Sequence, residues 1–369
     1  MKYASRYKNI FMYASLQFCG HIEEYFSSHT EKLVVFIVMP RLKNKFNLLR
    51  VYKEGQMIEE RRVWSSENIF LYYVAWYVSY LRFLLHYFDR HEKVIVLLSH
   101  PISFLGMSFQ KVLRPITFAY WVGDYFPPVN VSLTLFERLK KHFHDSVPYR
   151  FYLSDRINQL FNGTAMNTKN IRTVMWGVKP ITVPIMRLKK TLTILFVGLI
   201  KDSQGLELVF RFLKDNVNYR LNIIGVCDDR LYQKYQSLVQ EYQLKDRIFF
   251  PNKFYSDGAL QKLASSCHVG IAMYELSARS ASYYTDPGKV KAYLEMGLPV
   301  VMSKTSSIAQ FVQKYHCGEV VDAQVPAIAD AFDRIAKNYA WYTRGVKDFN
   351  NYFFYERYYR KSFAVFENI

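Results

Sequence analysis

The best candidate for chemistry is a lysine that follows a tight turn. Asp286, Pro287 and Gly288 are typical of such a turn. Lys289 then begins a short amphipathic helix, which Gly297 ends. A helix N-terminus suits a phosphate, because its free backbone N–H groups and the positive end of its dipole attract an anion. A lysine in the first helical turn opposes that dipole by itself, so we expect an anion there, with an ordinary β-α-β corner as the alternative.

A glycine-containing loop earlier in the chain could contribute to the same site. It runs from Gly198 to Gly205 and follows the predicted strand Leu192–Val197. Glycines let a ligand approach the backbone closely, and Lys201 between them could supply positive charge to an anion. A plain turn between a strand and a helix is the alternative interpretation.

A polar loop of small residues leads directly into the lysine helix. It runs from Tyr274 to Tyr284 and contains Glu275 and Arg279. A guanidinium group pairs with phosphate through two hydrogen bonds, so Arg279 is the best candidate in this loop for binding a phosphate group. An arginine in a solvated loop, without a ligand, is the alternative.

Two strand ends in the first half of the chain also carry candidate catalytic residues. His100 follows the predicted strand Val94–Leu98, and Asp124 follows the predicted strand Thr117–Val122. Ligands of open parallel sheets bind beyond the carboxyl ends of the strands, which favours a functional role for both side chains. A structural role as a cap or turn residue is the alternative for each.

The elements that would position these residues alternate regularly in the second half. Apolar strands and helices follow one another over short connections, which predicts a parallel, doubly wound α/β sheet. The predicted strands are Leu192–Val197, Tyr219–Gly225, Ile248–Phe250, Val269–Met273, Leu298–Met302 and Gly318–Val321. The predicted helices besides the lysine helix are Leu206–Leu213, Asp228–Gln243, Gly258–Ser266, Ser306–Tyr315 and Ala327–Ile369.

The first half is less regular, and the stretch Met1–Glu31 shows no clear period. The predicted strands are Leu33–Val38, Val94–Leu98 and Thr117–Val122. Ile69–Phe88 is apolar and aromatic on nearly every face, and it is long enough to span a bilayer. Arg82 and His86 within it favour a buried or interfacial helix instead.

Charge is distributed unevenly along the chain of 369 residues. Residues 1–190 contain 27 Lys and Arg and 13 Asp and Glu, a net charge of +14, whereas residues 191–369 contain 22 and 18, a net charge of +4. This excess predicts a polyanionic partner, either nucleic acid or an anionic membrane surface, with a merely basic surface as the alternative. Four scattered cysteines and the lack of a recognisable signal peptide indicate a cytoplasmic protein.

The segment around Lys289 resembles the donor site of GT-B glycosyltransferases. The likeness is to the retaining, nucleotide-sugar-dependent group that includes the glycosyl transferases group 1 family. The residues that match the pattern of that family are Pro287, Lys289, Tyr293, Gly297, Pro299 and Val300. The order and spacing of elements across residues 191–321 resemble the donor-binding domain of the same enzymes.

The sequence departs from that family at several motif positions. The glutamate that binds the nucleotide ribose corresponds to Ala292, and Glu295 one helical turn later is a candidate substitute. The upstream acid of the Glu-x7-Glu pattern corresponds to Tyr284. The clamp arginine and lysine of the glycine loop correspond to Leu199 and Gln204. These departures leave open a relative that binds a sugar nucleotide without turnover.

The resemblance also suggests boundaries and roles in the first half. Asp124 corresponds to the acid of the family's His-Asp pair, whose histidine is replaced by Gly123. Tyr152–Asp155 resembles the last strand of the first domain, and Val174–Val178 the strand before the interdomain linker. The resulting domains are residues 1–183 for the acceptor, 184–340 for the nucleotide sugar, and 341–369 as a helix that crosses back to the first domain.

The resemblance implies a GT-B fold, with two Rossmann-like, doubly wound α/β domains that face an interdomain cleft. It implies a metal-independent hexosyltransferase that needs no cofactor and transfers sugar from a nucleotide-diphosphate sugar to a saccharide or lipid-linked acceptor in cell-surface polysaccharide biosynthesis. The catalytic candidates are His100, Asp124 and Lys289. The donor-binding candidates are Gly198, Lys201, Gly205, Tyr274, Glu275, Arg279, Tyr284, Asp286, Gly288, Lys289, Val290 and Glu295.

Partner and location follow from the same observations. The basic first half and the aromatic stretch Ile69–Phe88 predict peripheral attachment to the anionic inner face of the cell membrane, and no nucleic-acid partner. A basic, aromatic nucleic-acid-binding protein is the alternative of a different class. It would explain the charge but neither the lysine helix nor the regular alternation of elements in the second half.

Overall fold

The chain forms two compact units. The computed structural model describes residues 5–15, 20–39, 46–181, 191–274, 276–278, 280–305, 307–367 and 369. The first unit comprises Met1–Gly177 together with Tyr355–Ile369, and the second unit comprises Val178–Phe354. The divisions predicted from the sequence lie after residues 183 and 340.

Strands and helices follow one another along both units. The strands are β1 Tyr7–Ser15, β2 Thr30–Val38, β3 Asn47–Lys53, β4 Gln56–Val63, β5 Val94–Leu98, β6 Ile116–Val122, β7 Tyr149–Tyr152, β8 Ile171–Thr173, β9 Leu192–Val197, β10 Tyr219–Ile224, β11 Ile248–Phe249, β12 Val269–Ala272, β13 Val300–Ser303 and β14 Gly318–Val321. The helices are α1 Ile22–His29, α2 Ile69–Tyr87, α3 Met107–Leu113, α4 Val131–His144, α5 Asp155–Asn162, α6 Leu206–Asp215, α7 Asp229–Glu241, α8 Asp257–Ala264, α9 Ala281–Tyr284, α10 Gly288–Glu295, α11 Ser307–Lys314, α12 Val325–Lys337, α13 Tyr339–Phe353 and α14 Tyr355–Ser362.

The first unit is built on a mixed eight-stranded sheet. Its strand order is β4-β3-β2-β1-β5-β6-β7-β8, in which β3 is antiparallel to both of its neighbours and the other pairs are parallel. Strand β1 lies between β2 and β5, and its residues 10–13 are fully buried. Strand β1 and helix α1 lie in the stretch that showed no clear period. A strand covered on both faces has no alternation of apolar and polar residues, which explains why the sequence did not reveal β1.

The expected strand at residues 174–178 is absent. The N–H groups of Met175 and Gly177 donate instead to the hydroxyls of Tyr358 and Tyr359, at 2.9 and 2.6 Å. Side chains of α14 thus satisfy backbone groups that a neighbouring strand would otherwise pair with. The last strand at the edge of this sheet is β8, which ends at Thr173.

The strand expected at Tyr152–Asp155 lies three residues earlier, at Tyr149–Tyr152. Strand β7 ends at Tyr152, and Ser154 caps the next helix, α5, by accepting a hydrogen bond from the N–H of Ile157 at 3.2 Å. Serine is favoured at this position because its hydroxyl satisfies an otherwise unpaired amide of the first helical turn.

The C-terminal part of the chain contains three helices rather than one. The predicted helix Ala327–Ile369 is broken at Asn338 and Phe354, whose backbone angles are not helical. The last helix, α14, belongs to the first unit. Its buried Tyr359 donates a hydrogen bond to the carbonyl of Gly20 at 2.6 Å, which ties α14 to the segment before α1.

Helix α2 packs one face on the sheet of the first unit, as the sequence predicted for a buried or interfacial helix. Trp76, Tyr80, Phe83 and Leu84 are buried beneath it, and Asn68 caps its N-terminus. The opposite face is exposed and largely apolar. Among the described residues, no helix is long and apolar enough to cross a bilayer.

The second unit is built on a fully parallel six-stranded sheet. Its strand order is β11-β10-β9-β12-β13-β14. The predicted alternation of strands and helices is confirmed, and β9 and β14 have the predicted bounds. Apolar side chains from the sheet and from α6, α7 and α12 form the core on one face. Helix α10, which carries the candidate lysine, packs on β12 and β13.

Candidate active site

Helix α10 begins with backbone donors that no side chain caps. Its N-cap residue is Pro287, which offers no capping oxygen. Gly288 is exposed at the first helical position, and within the described part of the chain no atom lies within 4 Å of where its Cβ would be. The space beside Gly288 is therefore open to an anion, which the amides of Gly288 and Lys289 could bind.

Tyr293 fixes α10 to the sheet. Its ring lies over Gly270 of β12, where an added Cβ would come within 2.3 Å of the ring carbons. Its hydroxyl accepts a hydrogen bond from the N–H of Val197 at 2.9 Å and donates one to the carbonyl of Ile271 at 3.1 Å. One buried side chain thus joins the helix to the carboxyl ends of β9 and β12. The first turn of α10 is held beside those strand ends as a result.

Lys289 is partly buried beside the loop after β9. Its Nζ donates a hydrogen bond to Gln204 Oε1 at 3.3 Å, and it lies 3.8 Å from the centre of the Phe196 ring and 5.5 Å from that of Tyr274. In the described part of the chain, no carboxylate forms an ion pair with it. Burial lowers the pKa of Lys289 to about 7, because little compensates the ammonium group for lost water.

The glycines of the loop after β9 are required by geometry. Gly198 has a φ of +115°, and a Cβ there would lie 3.8 Å from Cε of Lys289. Gly205 has a φ of +66°, and a Cβ there would lie 2.7 Å from Cβ of Met273. A side chain at either position would adopt an unfavourable backbone conformation, and at Gly205 it would also collide with β12's end. Lys201 lies between them and is exposed.

A cavity of about 340 Å³ opens beside this loop. Gly205 and Tyr274 both line it, as do the charged side chains of Asp202, Glu207 and Arg211. Glu207 accepts a hydrogen bond from Arg211 at 2.5 Å. Two predicted donor-binding residues therefore meet at one cavity, together with an arginine that the sequence analysis did not identify because it lies within the predicted helix α6.

Of the three carboxylates predicted near the donor, the two that the structure describes accept backbone hydrogen bonds. Asp286 is buried, and its Oδ1 accepts a hydrogen bond from the N–H of Ile308 at the start of α11, at 3.1 Å. Glu295 lies at the other end of α10, about 9 Å along the helix axis from Lys289. Its Oε1 accepts a hydrogen bond from the N–H of Lys179 at 2.8 Å. The structure does not bring Glu295 to the Lys289 end of the helix.

The remaining donor-binding candidates have different environments. The backbone N–H of Tyr274 donates to the hydroxyl of Ser303 at 2.8 Å, which holds the loop after β12 against the end of β13. Tyr284 is half-buried in α9, and Val290 is a core residue. Glu275 and Arg279 lie outside the described residues.

In the first unit, His100 follows β5 and acts as a cap. Its Nδ1 accepts a hydrogen bond from the N–H of Ile102 at 3.3 Å, at the start of a short 3-10 turn. Its ring lies 4.5 Å from that of Trp76. Burial, with a smaller contribution from the nearby charge of Lys140, lowers the pKa of His100 to about 3. The imidazole is therefore neutral near pH 7.

Asp124 follows β6, the strand beside β5, and its side chain is exposed. Its backbone carbonyl accepts a hydrogen bond from Nζ of the buried Lys140 at 2.8 Å. The structure thus places Asp124 and His100 at the same edge of the first sheet, as predicted. Within the described residues, no group of three or more His, Cys, Asp or Glu side chains could hold a metal ion.

Comparisons with known proteins point to one class of enzyme. A protein-family model described as the Glucosyltransferase 3-like, C-terminal domain matches residues 225–364. A search of curated protein sequences found no match. The structural matches cover nearly the whole chain.

Three solved structures resemble nearly the whole chain. The sucrose-phosphate synthase from Thermosynechococcus elongatus is 14% identical, with a TM-score of 0.70 over 97% of this chain and 100% of its own. A trehalose-6-phosphate protein from E. coli bound with UDP-2-fluoro glucose is 12% identical, with a TM-score of 0.66 over 98% and 99%. The lipopolysaccharide outer core galactosyltransferase WaaB in its apo form is 14% identical, with a TM-score of 0.63 over 98% and 100%.

At these sequence identities the structural likeness establishes the fold. The family match adds that the second half of the chain is similar to a glucosyltransferase domain. The predicted resemblance and fold class are both confirmed. The chain has the GT-B fold of glycosyltransferases, and its residues 225–364 are similar to the Glucosyltransferase 3-like, C-terminal domain.

Proposed function

We propose that the chain transfers a hexosyl group from a nucleotide-diphosphate sugar to a hydroxyl of a saccharide or lipid-linked acceptor. The observation that carries this proposal is the environment of Lys289. A partly buried ammonium group is costly when, as among the described residues, no carboxylate pairs with it, and the uncapped N-terminus of α10 adds positive potential beside it. A diphosphate is the ligand that both groups would stabilise.

The chemistry requires stabilisation of a leaving group. The bond between the anomeric carbon and the diphosphate oxygen breaks, and its electron pair passes to the diphosphate. The acceptor oxygen bonds to the anomeric carbon and loses its proton, for which Asp124 is the candidate base. In this proposal the ammonium of Lys289 and the amides of α10 stabilise the negative charge that develops on the diphosphate, which lowers the barrier. These cations could replace a divalent metal, so we propose a metal-independent reaction.

Nucleotide release from a panel of UDP-, GDP-, TDP- and CMP-sugars tests the proposal, with membrane extract as the source of acceptors. We expect release from one of the three diphosphate donors and not from a CMP-sugar, and a loss of at least 100-fold in rate for Lys289→Ala. Lys304→Ala is a matched control, because Lys304 is an exposed lysine of the same unit. Binding of a nucleotide without release would favour the relative that binds without turnover. Absence of any nucleotide binding would refute the proposal.

We also propose that the first unit attaches to an anionic membrane surface on the cytoplasmic side. The exposed face of α2 is apolar, and Phe70, Val74 and Val78 are 71%, 41% and 56% exposed. Arg82 is exposed one turn after Val78. No acidic residue occurs between residues 68 and 88 or between residues 93 and 123. Apolar side chains that would enter the interface thus combine with basic groups that attract anionic lipid.

Co-sedimentation with vesicles tests this attachment. We expect pelleting with vesicles of phosphatidylglycerol and phosphatidylcholine at low salt, and at least a fivefold weaker association after Phe70, Val74 and Val78 are all replaced by serine. The control variant carries serine at Val217 and Phe254, exposed apolar residues of the second unit. Equal pelleting of both variants, or no pelleting of the wild type, would refute the proposal.

A further inference from the structure

A buried ion pair lies beneath the loop that carries Asp124. Lys140 and Glu137 are both on α4, and Nζ of Lys140 lies 2.6 Å from Oε1 of Glu137. Their side chains are only 4% and 9% exposed. Burial of two opposite charges is costly even when they pair, so an apolar pair at the same positions would give a comparable fold. Stability of the fold therefore does not explain why a charged pair occupies these two buried positions.

Both partners of the pair hold the backbone of the loop after β6. Lys140 Nζ donates to the carbonyl of Asp124 at 2.8 Å, and Oε1 of Glu137 accepts from the N–H of Phe126 at 3.2 Å. The carbonyl and the amide are two residues apart, so the pair clamps the backbone on both sides of Tyr125. The conformation of the loop, and with it the direction of the Asp124 carboxylate, therefore depends on two charged side chains of α4.

The same face of α4 supports the other strand end. The ring of Phe136 lies 5.2 Å from the ring of His100 and 6.4 Å from that of Phe126. Nζ of Lys140 lies 5.0 Å from the centre of the Phe136 ring. A single helical turn of α4 thus contacts both loops that carry the candidate catalytic residues of the first unit. A displacement of this turn would move the two loops together.

We propose that Lys140, paired with Glu137, is a positioning residue for the transfer reaction, which sets the conformation of the Asp124 loop through its carbonyl. Lys140 itself touches no reacting atom in this proposal. The inference rests on the proposed function in one respect, because sugar transfer is the reaction whose rate Lys140 would affect. The effect on the loop does not require that the chain transfers sugar.

Four proteins test the inference, namely the wild type, Lys140→Met, the double variant Lys140→Met with Glu137→Gln, and Lys141→Met. Lys140→Met leaves the Glu137 carboxylate buried without its partner, so a loss of activity in that variant could reflect poor folding. The double variant removes both charges, so no buried charge is left unpaired, and it removes the hydrogen bond from Lys140 to the Asp124 carbonyl. Lys141→Met removes the same charge from an adjacent, exposed position and is the matched control.

Hydrogen–deuterium exchange and kinetics are measured on the same proteins. In the double variant we expect a melting temperature near that of the wild type, exchange at least tenfold faster for the amides of residues 124–126, and kcat at least tenfold lower. The affinity for the nucleotide sugar should stay within twofold of the wild type, because the donor site lies in the second unit. Lys141→Met should match the wild type in every measurement.

Two results would overturn the inference. The first is unchanged exchange of residues 124–126 in the double variant. The second is a double variant whose melting temperature and kcat both equal those of the wild type. That result would show that the ion pair contributes to folding alone. A wild type that transfers no sugar would refute the proposed function instead, and the exchange measurement would still decide whether Lys140 positions the loop.

Discussion

Donor affinity is expected to fall as the pH rises from 6 to 8, because Lys289 loses its proton in this range. With a pKa of about 7, Lys289 is about 90% protonated at pH 6 and about 10% protonated at pH 8. The diphosphate of a nucleotide sugar carries the same charge throughout this range. If it binds the ammonium form alone, the apparent Kd should rise about tenfold, which corresponds to about 1.4 kcal/mol.

Isothermal titration calorimetry at pH 6, 7 and 8 would measure the apparent Kd. The ligand is the nucleotide sugar that the release assay identifies as the donor. Buffers with different heats of ionisation report proton uptake directly, and we expect about 0.9 proton taken up per donor bound at pH 8. Lys289→Met should bind more weakly and with no dependence on pH. Lys201→Met should weaken binding about equally at each pH, since Lys201 is exposed. A wild-type Kd that changes less than twofold between pH 6 and 8 would refute this role for Lys289.

Three further predictions concern the same unit. Tyr293→Phe removes the hydroxyl that accepts from Val197, so chemical denaturation should show a loss of about 1–3 kcal/mol in the free energy of unfolding, with Tyr255→Phe unchanged as a control. Gly205→Ala should cost about 2–5 kcal/mol in the same measurement, because its Cβ would collide with Met273 and its φ is positive. Sugar transfer should continue in excess EDTA, and activity that is lost and then restored by magnesium would contradict a metal-independent reaction.

The sequence predicted the second unit closely, because its signals are local. Strands β9 and β14 were predicted with the observed bounds, and the lysine helix began within one residue of α10. Short apolar runs bounded by glycine are read directly from neighbouring residues. The convergence of Gly198, Gly205 and Tyr274 near Lys289 also followed, because the carboxyl ends of parallel strands meet at one edge of a sheet.

Contacts between distant parts of the chain could not be predicted in this way. Gln204 stood at a position where the family has lysine, and only the structure shows it as the hydrogen-bond partner of Lys289, 85 residues away. Glu295 lay one helical turn from the expected glutamate, yet its carboxylate pairs with the backbone at Lys179. Strand β1 had no periodic signal because it is covered on both faces. In each case the partner is set by tertiary packing.

The return of α14 to the first unit has a consequence for synthesis of the chain. Phe363 packs among the rings of Phe26, Trp121 and Phe151 at 5.0 to 5.6 Å, and Tyr359 bonds to Gly20. These contacts form only after residues 359 and 363 have left the ribosome, whereas every residue of the second unit has been made by then. The second unit can therefore fold during translation, and the first unit, although made first, is completed last.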